Sequence, residues 1–176
     1  MGLQDTPALI RALAEAGVRF IIVGGVAAIA HGGATFTRDL DVLARFDEAN
    51  LAQVLAALAP YHPRFALHPA RPPLDRGAKE LAGFKNLYLS TDLGRLDLLG
   101  AIPNGTYDEL EPDTVEMTLA GVTCLVLGLD ALIASKALLG RDKDKPVEAE
   151  LRAIRDRLRA KESPSGAAST DDDESG

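Results

Sequence analysis

Asp39 and Asp41 stand either side of Leu40, and Asp97 interrupts the otherwise apolar end of Gly94-Arg95-Leu96-Asp97-Leu98-Leu99. Residues 38–43 alternate between the acids and Leu40 and Val42, the period of a strand, so Asp39 and Asp41 share one face. Two carboxylates held that close repel unless a divalent cation is shared between them. Upstream, Gly24-Gly25 makes a turn between an apolar stretch and a short helix. Glycines there let the backbone approach phosphate, and the free amides of a helix start favour an anion. Metal-binding acids beside a cradle for a polyanion are what transfer of a nucleotidyl group requires. Each feature also has a plainer explanation. A Gly-Gly turn serves close packing, a bare Asp-x-Asp serves a solvated edge strand, and Asp97 can pair with Arg95 on one exposed face.

The elements that must position these residues follow from the pattern. Asp5-Thr6-Pro7 starts a helix, with Leu9, Ile10, Leu13 and Ala14 at helical spacing until Gly17. Residues 18–23, apolar apart from Arg19, predict a buried strand, and residues 26–30 a short helix ended by Gly32-Gly33. Asp47 caps a helix running to about residue 58, where Pro60 stops it. Residues 61–83 are rich in Pro, Arg and His and offer one short strand at 64–67. Residues 84–90 and 94–99 predict neighbouring antiparallel strands, and 115–119 with 122–127 a hairpin turning at Ala120-Gly121. Helices follow at 129–139, between Gly128 and Gly140, and at about 147–161, opened by Pro146. The order predicts an α/β or α+β domain with a mixed sheet flanked by helices and a helical C-terminal end.

Composition bounds the class. At 176 residues, 47% of them hydrophobic, the chain suits one core, assigned to residues 1–161. From Glu162 onward the sequence is Ser, Gly, Ala, Thr and acid without apolar period, an expected disordered acidic tail over 162–176. Five acids lie beyond Lys161, so the overall charge of −7 leaves −2 for the rest, and a nucleic acid would have to meet a local basic patch. Cys124, the single cysteine, sits in an apolar run as a small hydrophobe, which leaves no disulfide or zinc site and fits a reducing compartment. No apolar run reaches the roughly 20 residues that span a bilayer, so no membrane partner and a cytoplasmic location are expected.

Val23-Gly24-Gly25-Val26-Ala27, His31-Gly32 and Thr37-Arg38-Asp39-Leu40-Asp41-Val42 together resemble the nucleotidyltransferase superfamily with the DNA polymerase beta-like fold. The small Gly-Gly, His-Gly and Thr-x-Asp-x-Asp version is similar to the AbiEii-type toxin and minimal nucleotidyltransferase group. Lys136, Arg141, Lys143 and Asp144 extend the match, since Lys-x4-Arg-x-Lys-Asp after a helix resembles that group's downstream basic motif. The resemblance spans residues 18–145. It implies a nucleotidyltransferase fold and an enzyme that moves an NMP from an NTP. Asp39, Asp41 and Asp97 would be the catalytic acids, binding two Mg²⁺ with Mn²⁺ as the alternative ion. Gly24, Gly25, Arg38, Lys136 and Arg141 would contact the nucleotide, Lys136 as a point charge and Arg141 as a bidentate donor. It also implies tRNA or a protein as acceptor, ATP among the NTP donors, and a cognate antitoxin in a toxin-antitoxin or defence pair. The group often has Arg two residues before the Thr of the acid motif, where this chain has Thr35, and Arg38 stands beside the acids instead. His31 is expected to be structural.

Two other enzymatic readings fit less well. Asp39-Leu40-Asp41-Val42 satisfies the nucleophile motif of haloacid-dehalogenase-like phosphatases, but residues 35–38 are not the apolar strand that fold places before its first acid. Gly24-Gly25 lacks the Gly-x-Gly-x-x-Gly spacing of a dinucleotide loop. The non-enzymatic alternative is a catalytically silent protein of the same fold that binds nucleotide or a partner.

Overall fold

The computed structural model describes residues 3–163. Helix α1 (Thr6–Glu15) is capped by Asp5, whose carboxylate accepts from the Ala8 amide at 3.0 Å, and buries Leu9, Ile10 and Leu13. The chain turns at Gly17 into strand β1 (Phe20–Ile22), passes through Val23 into helix α2 (Gly24–Ala30), and returns along β2 (Asp39–Ala44). Asp47 then caps α3 (Glu48–Leu58) through the Asn50 amide. The Asn50 side chain, itself buried, bonds the backbone of Arg19 and Arg45 and so ties α3 to the ends of β1 and β2.

The second half adds β3 (Arg64–Phe65), α4 (Ala78–Leu81) and the hairpin β4 (Asn86–Thr91) with β5 (Gly94–Leu99). A small hairpin, β6 (Ala101–Ile102) with β7 (Gly105–Thr106), leads into α5 (Tyr107–Leu110). The hairpin β8 (Thr114–Leu119) and β9 (Val122–Leu127) follows, then α6 (Leu129–Leu139) and α7 (Lys145–Glu162). Seven strands form one sheet in the order β3-β4-β5-β2-β1-β9-β8. Pairs β2/β5 and β1/β9 are parallel and the rest antiparallel, which makes the sheet mixed, as expected. Leu40, Val42, Leu87, Leu89, Leu96 and Leu98 are buried at their alternate positions in β2, β4 and β5. Helices α1 and α3 pack on each other, while α2, α6 and α7 form a second group. Cys124 is buried, as its apolar surroundings predicted.

Several boundaries differ from the sequence reading. Helix α2 begins at Gly24 rather than Val26, because Gly24 takes a φ of 64° that brings the chain directly out of β1 into the first turn. Helix α3, by contrast, ends at Leu58 as the sequence predicted, and Pro60 sits in the first turn of the short 3-10 segment that follows, Ala59–Tyr61, where proline has no helical hydrogen bond to lose. Helix α7 starts two residues early with Pro146 in its first turn, and it reaches Glu162, which the sequence placed in the acidic tail. The remainder of that expected tail lies outside the described residues. Helix α6 ends as predicted at Gly140, in the left-handed conformation.

Candidate active site

The parallel pairing of β2 with β5 sets Asp39 beside Arg95 and Asp41 beside Asp97. Because β4 pairs with β5 on the other side, Tyr88 lies opposite Asp97. Tyr88, Asp97 and Asp41 therefore form one row across three strands, on one face of the sheet. The three acids singled out in the sequence come together in this way.

The two glycines have a steric reason to be glycine. A Cβ on Gly24 would stand 2.3 Å from Asp41 Oδ2, and one on Gly25 would stand 2.7 Å from Thr37 Cβ. The start of α2 thus packs directly on the acid strand, and the Asp41 carboxylate rests against the Gly24 backbone. Thr37 reinforces the corner, its hydroxyl donating to the Asp39 carbonyl at 3.0 Å.

A cavity of about 350 Å³ opens on this corner. Gly24, Gly25 and Asp41 line one side, and Ser135, Lys136 and Arg141 another. Lys136 and Arg141 are held by Asp144, at 3.3 Å and 2.5 Å. Burial works to raise the Asp144 carboxyl, but its bonds to Arg141 and Lys136 outweigh that and hold it below the ordinary range. Arg38, by contrast, is exposed, its guanidinium 5.8 Å from the centre of the Phe36 ring and away from the cavity lining. Of the five nucleotide-contact candidates, four line the cavity and Arg38 does not. His31 is structural: its Nε2 donates to the Leu127 carbonyl at 2.8 Å and pins the end of α2 to β9.

The electrostatics of the acid row are uneven. Asp41 is pushed up to about 6, first by burial and then by the charges of Asp97 and Asp39, against smaller help from Lys136 and Arg95. Asp97 is also raised, mainly by burial, although Arg95 Nε donates to its Oδ1 at 2.8 Å. The pairing of Arg95 with Asp97 was the plainer alternative in the sequence, and it is present alongside the clustering of the acids. Among the described residues, no group of three or more His, Cys, Asp and Glu side chains is gathered closely enough to hold a metal ion. The donor chemistry nonetheless suits Mg²⁺ or Mn²⁺: hard carboxylate oxygens crowd one another on a half-buried face, and a divalent cation would offset the repulsion from Asp97 and Asp39 that adds to burial in raising Asp41.

Sequence reasoning missed part of the lining. Asn86, Tyr88, Ala101, Ile102 and Pro103 border the same cavity. The small hairpin is anchored by Asn104 Nδ2, which donates to the Ala131 carbonyl of α6 at 3.0 Å. Asn104-Gly105 is a turn signal that could have flagged that hairpin. Tyr88 carries no local signal, since its place follows only from the β4/β5 register.

No protein-family model matches the sequence, and no curated protein matches it. Solved structures do resemble it. The antibiotic-resistance factor ANT(2'')-Ia aligns over 90% of this chain and 94% of its own, at 17% identity and a TM-score of 0.52. A Thermotoga maritima protein, TM1012, whose assignment as a nucleotidyltransferase is itself inferred, aligns over 88% of this chain and 95% of its own, at 15% identity and a TM-score of 0.49. At such identities the likeness is one of architecture. With its seven-stranded mixed sheet and flanking helices, the chain has the nucleotidyltransferase fold.

Proposed function

We propose that the chain is a metal-dependent nucleotidyltransferase that moves an NMP from an NTP to an acceptor. The observation that carries this is Asp41: packed on the Gly24 backbone and crowded by two other acids, it lines the same cavity as Lys136 and Arg141. Lys136 and Arg141, oriented by Asp144, meet the triphosphate, and the backbone at Gly24 and Gly25 lies against it. Asp39, Asp41 and Asp97 hold the expected Mg²⁺ ions, or Mn²⁺. When bound, those ions supply positive charge and alignment for the oxygens around the α-phosphorus. The acceptor oxygen bonds to that phosphorus, the bond to the pyrophosphate oxygen breaks with its electron pair on pyrophosphate, and Asp97 takes the acceptor proton. A role in a toxin-antitoxin or defence pair, as in the AbiEii-type group, belongs to this reading, with tRNA or a protein as acceptor and an antitoxin as partner. Arg38 has no part in it unless the acceptor reaches the exposed surface beside Phe36.

Incubation with labelled NTP, Mg²⁺ and total cellular RNA, protein and small metabolites tests the proposal. Wild type is expected to transfer label and Asp41→Ala to lose about a thousandfold of that activity. Equal transfer by both would sink the assignment. The Arg95–Asp97 bond favours a second reading, a silent nucleotide-binding protein, because it occupies one of the acids the ions need. NTP binding without any transfer identifies that case.

A further inference from the structure

A second and larger cavity, of about 660 Å³, lies at the outer side of β4. Phe65, Phe84, Tyr88, His68 and Arg76 are among its walls. Phe65 and Phe84 stack with ring centres 6.5 Å apart and 22° between planes, and the Arg76 guanidinium sits 6.0 Å from the centre of each ring. Glu80 pairs with Arg76 and fixes it there. Among the described residues, Asn86 and Tyr88 alone line both this cavity and the one that holds Asp41. Tyr88 is also the register partner of Asp97, so the aromatic cavity opens beside the row of acids.

The charge of this region is opposite to that of the chain. Residues 61–85 carry five lysines and arginines against Asp75 and Glu80, a net +3 in a protein of net −7. Flat aromatic rings interleaved with cations are the surface that takes unpaired bases, the rings stacking and the cations following the phosphates. A polycationic acceptor is disfavoured by the same charge.

We infer that the cavity bounded by Phe65, Phe84, Arg76 and Tyr88 is the acceptor subsite, and that it takes an unpaired base at the end of a single-stranded nucleic acid. This rests on the nucleotidyltransferase reading for the chemistry that follows binding. The strand's terminal hydroxyl oxygen bonds to the α-phosphorus of the NTP, pyrophosphate leaves with the electrons of the broken P–O bond, and the hydroxyl proton passes to Asp97. Tyr88 marks the threshold between the two cavities.

The test is fluorescence anisotropy of a labelled unstructured oligoribonucleotide of about ten nucleotides with the full chain, run beside binding of Mg²⁺·ATP. Wild type is expected to bind the strand, more weakly as salt rises. Phe84→Ala should weaken strand binding about tenfold and leave ATP binding unchanged. Because Phe84 also packs on Phe65, the exposed double variant Lys79→Glu, Lys85→Glu provides a second measurement, and it should weaken strand binding and flatten its salt dependence without touching ATP binding. ATP binding with no strand binding overturns the inference, as does strand binding that both variants leave unchanged. A free nucleoside that binds as tightly as the strand also overturns it, since the occupant is then a small molecule. Strand binding without ATP binding leaves the base site standing and overturns nucleotidyl transfer instead.

Discussion

Asp41 lines the cavity, Asp144 stands behind the two cations that line it from another side, and their surroundings treat the two acids in opposite ways. Asp144 is buried between Lys136 and Arg141 and held low. Asp41 is half-buried against a glycine, crowded by Asp97 and Asp39, and pushed up to about 6. One carboxylate is satisfied by the fold, and the other is left crowded by like charge with only partial relief from Lys136 and Arg95. A protein keeps an uncompensated acid in such a place for binding or chemistry, whereas a doubly paired acid does structural work.

The contrast can be broken most forcefully at Asp144. Asp144→Ala strips the largely buried Lys136 of its carboxylate partner, and the expected loss is about 3 kcal/mol of unfolding free energy, measured by urea titration at pH 7. Arg141, half exposed, is freed to solvent and contributes little to that loss. A loss below a few tenths of a kcal/mol would show the clamp to be ornamental.

Asp41 should respond with the opposite sign. Its folded carboxyl holds a proton more tightly than the unfolded one, so the native state is penalised once pH rises from about 4 through 6, and the penalty is complete above that. Asp41→Asn removes the charge at nearly constant shape. In EDTA the variant should exceed wild type by about 3 kcal/mol at pH 8 and match it near pH 3.5, as read from paired denaturation curves. Asp144 works the other way, stabilising above the ordinary carboxyl range and losing that contribution as pH falls through its depressed value. The smallest effect comes from the ion. Mg²⁺ at about ten times its dissociation constant should stabilise wild type by about 1.4 kcal/mol and Asp41→Asn by far less, as seen in thermal shift.

Much of this was readable in advance, for reasons that can be named. The alternation through Asp39, Leu40, Asp41 and Val42 gives strand and face together, and the spacing from Gly24-Gly25 gives the strand-helix-strand order. The opposition of Asp41 and Asp97 needed a parallel β2/β5 register that no local pattern encodes. Residues 61–83, apart from the short strand expected at 64–67, and residues 100–106 were opaque because their strands are two residues long, too short to show any period. They supply Phe65 and the walls at Ala101–Pro103, so the acids could be read more easily than the space in front of them. The role of Asp144 was hidden for a related reason. In the sequence it closes a basic run, and only the fold turns it back onto Lys136.

The position of Asp144 far downstream of Asp41 has a consequence for synthesis. A chain emerging from the ribosome exposes the strand of acids and the Gly24 corner well before α6 and the clamp beyond it are made. Until Lys136, Arg141 and Asp144 have all cleared the exit tunnel, the nascent protein has the acids without the clamped pair of cations that faces them across the cavity. On the proposed function, competence to engage nucleotide therefore arrives late in translation, once that clamp is complete.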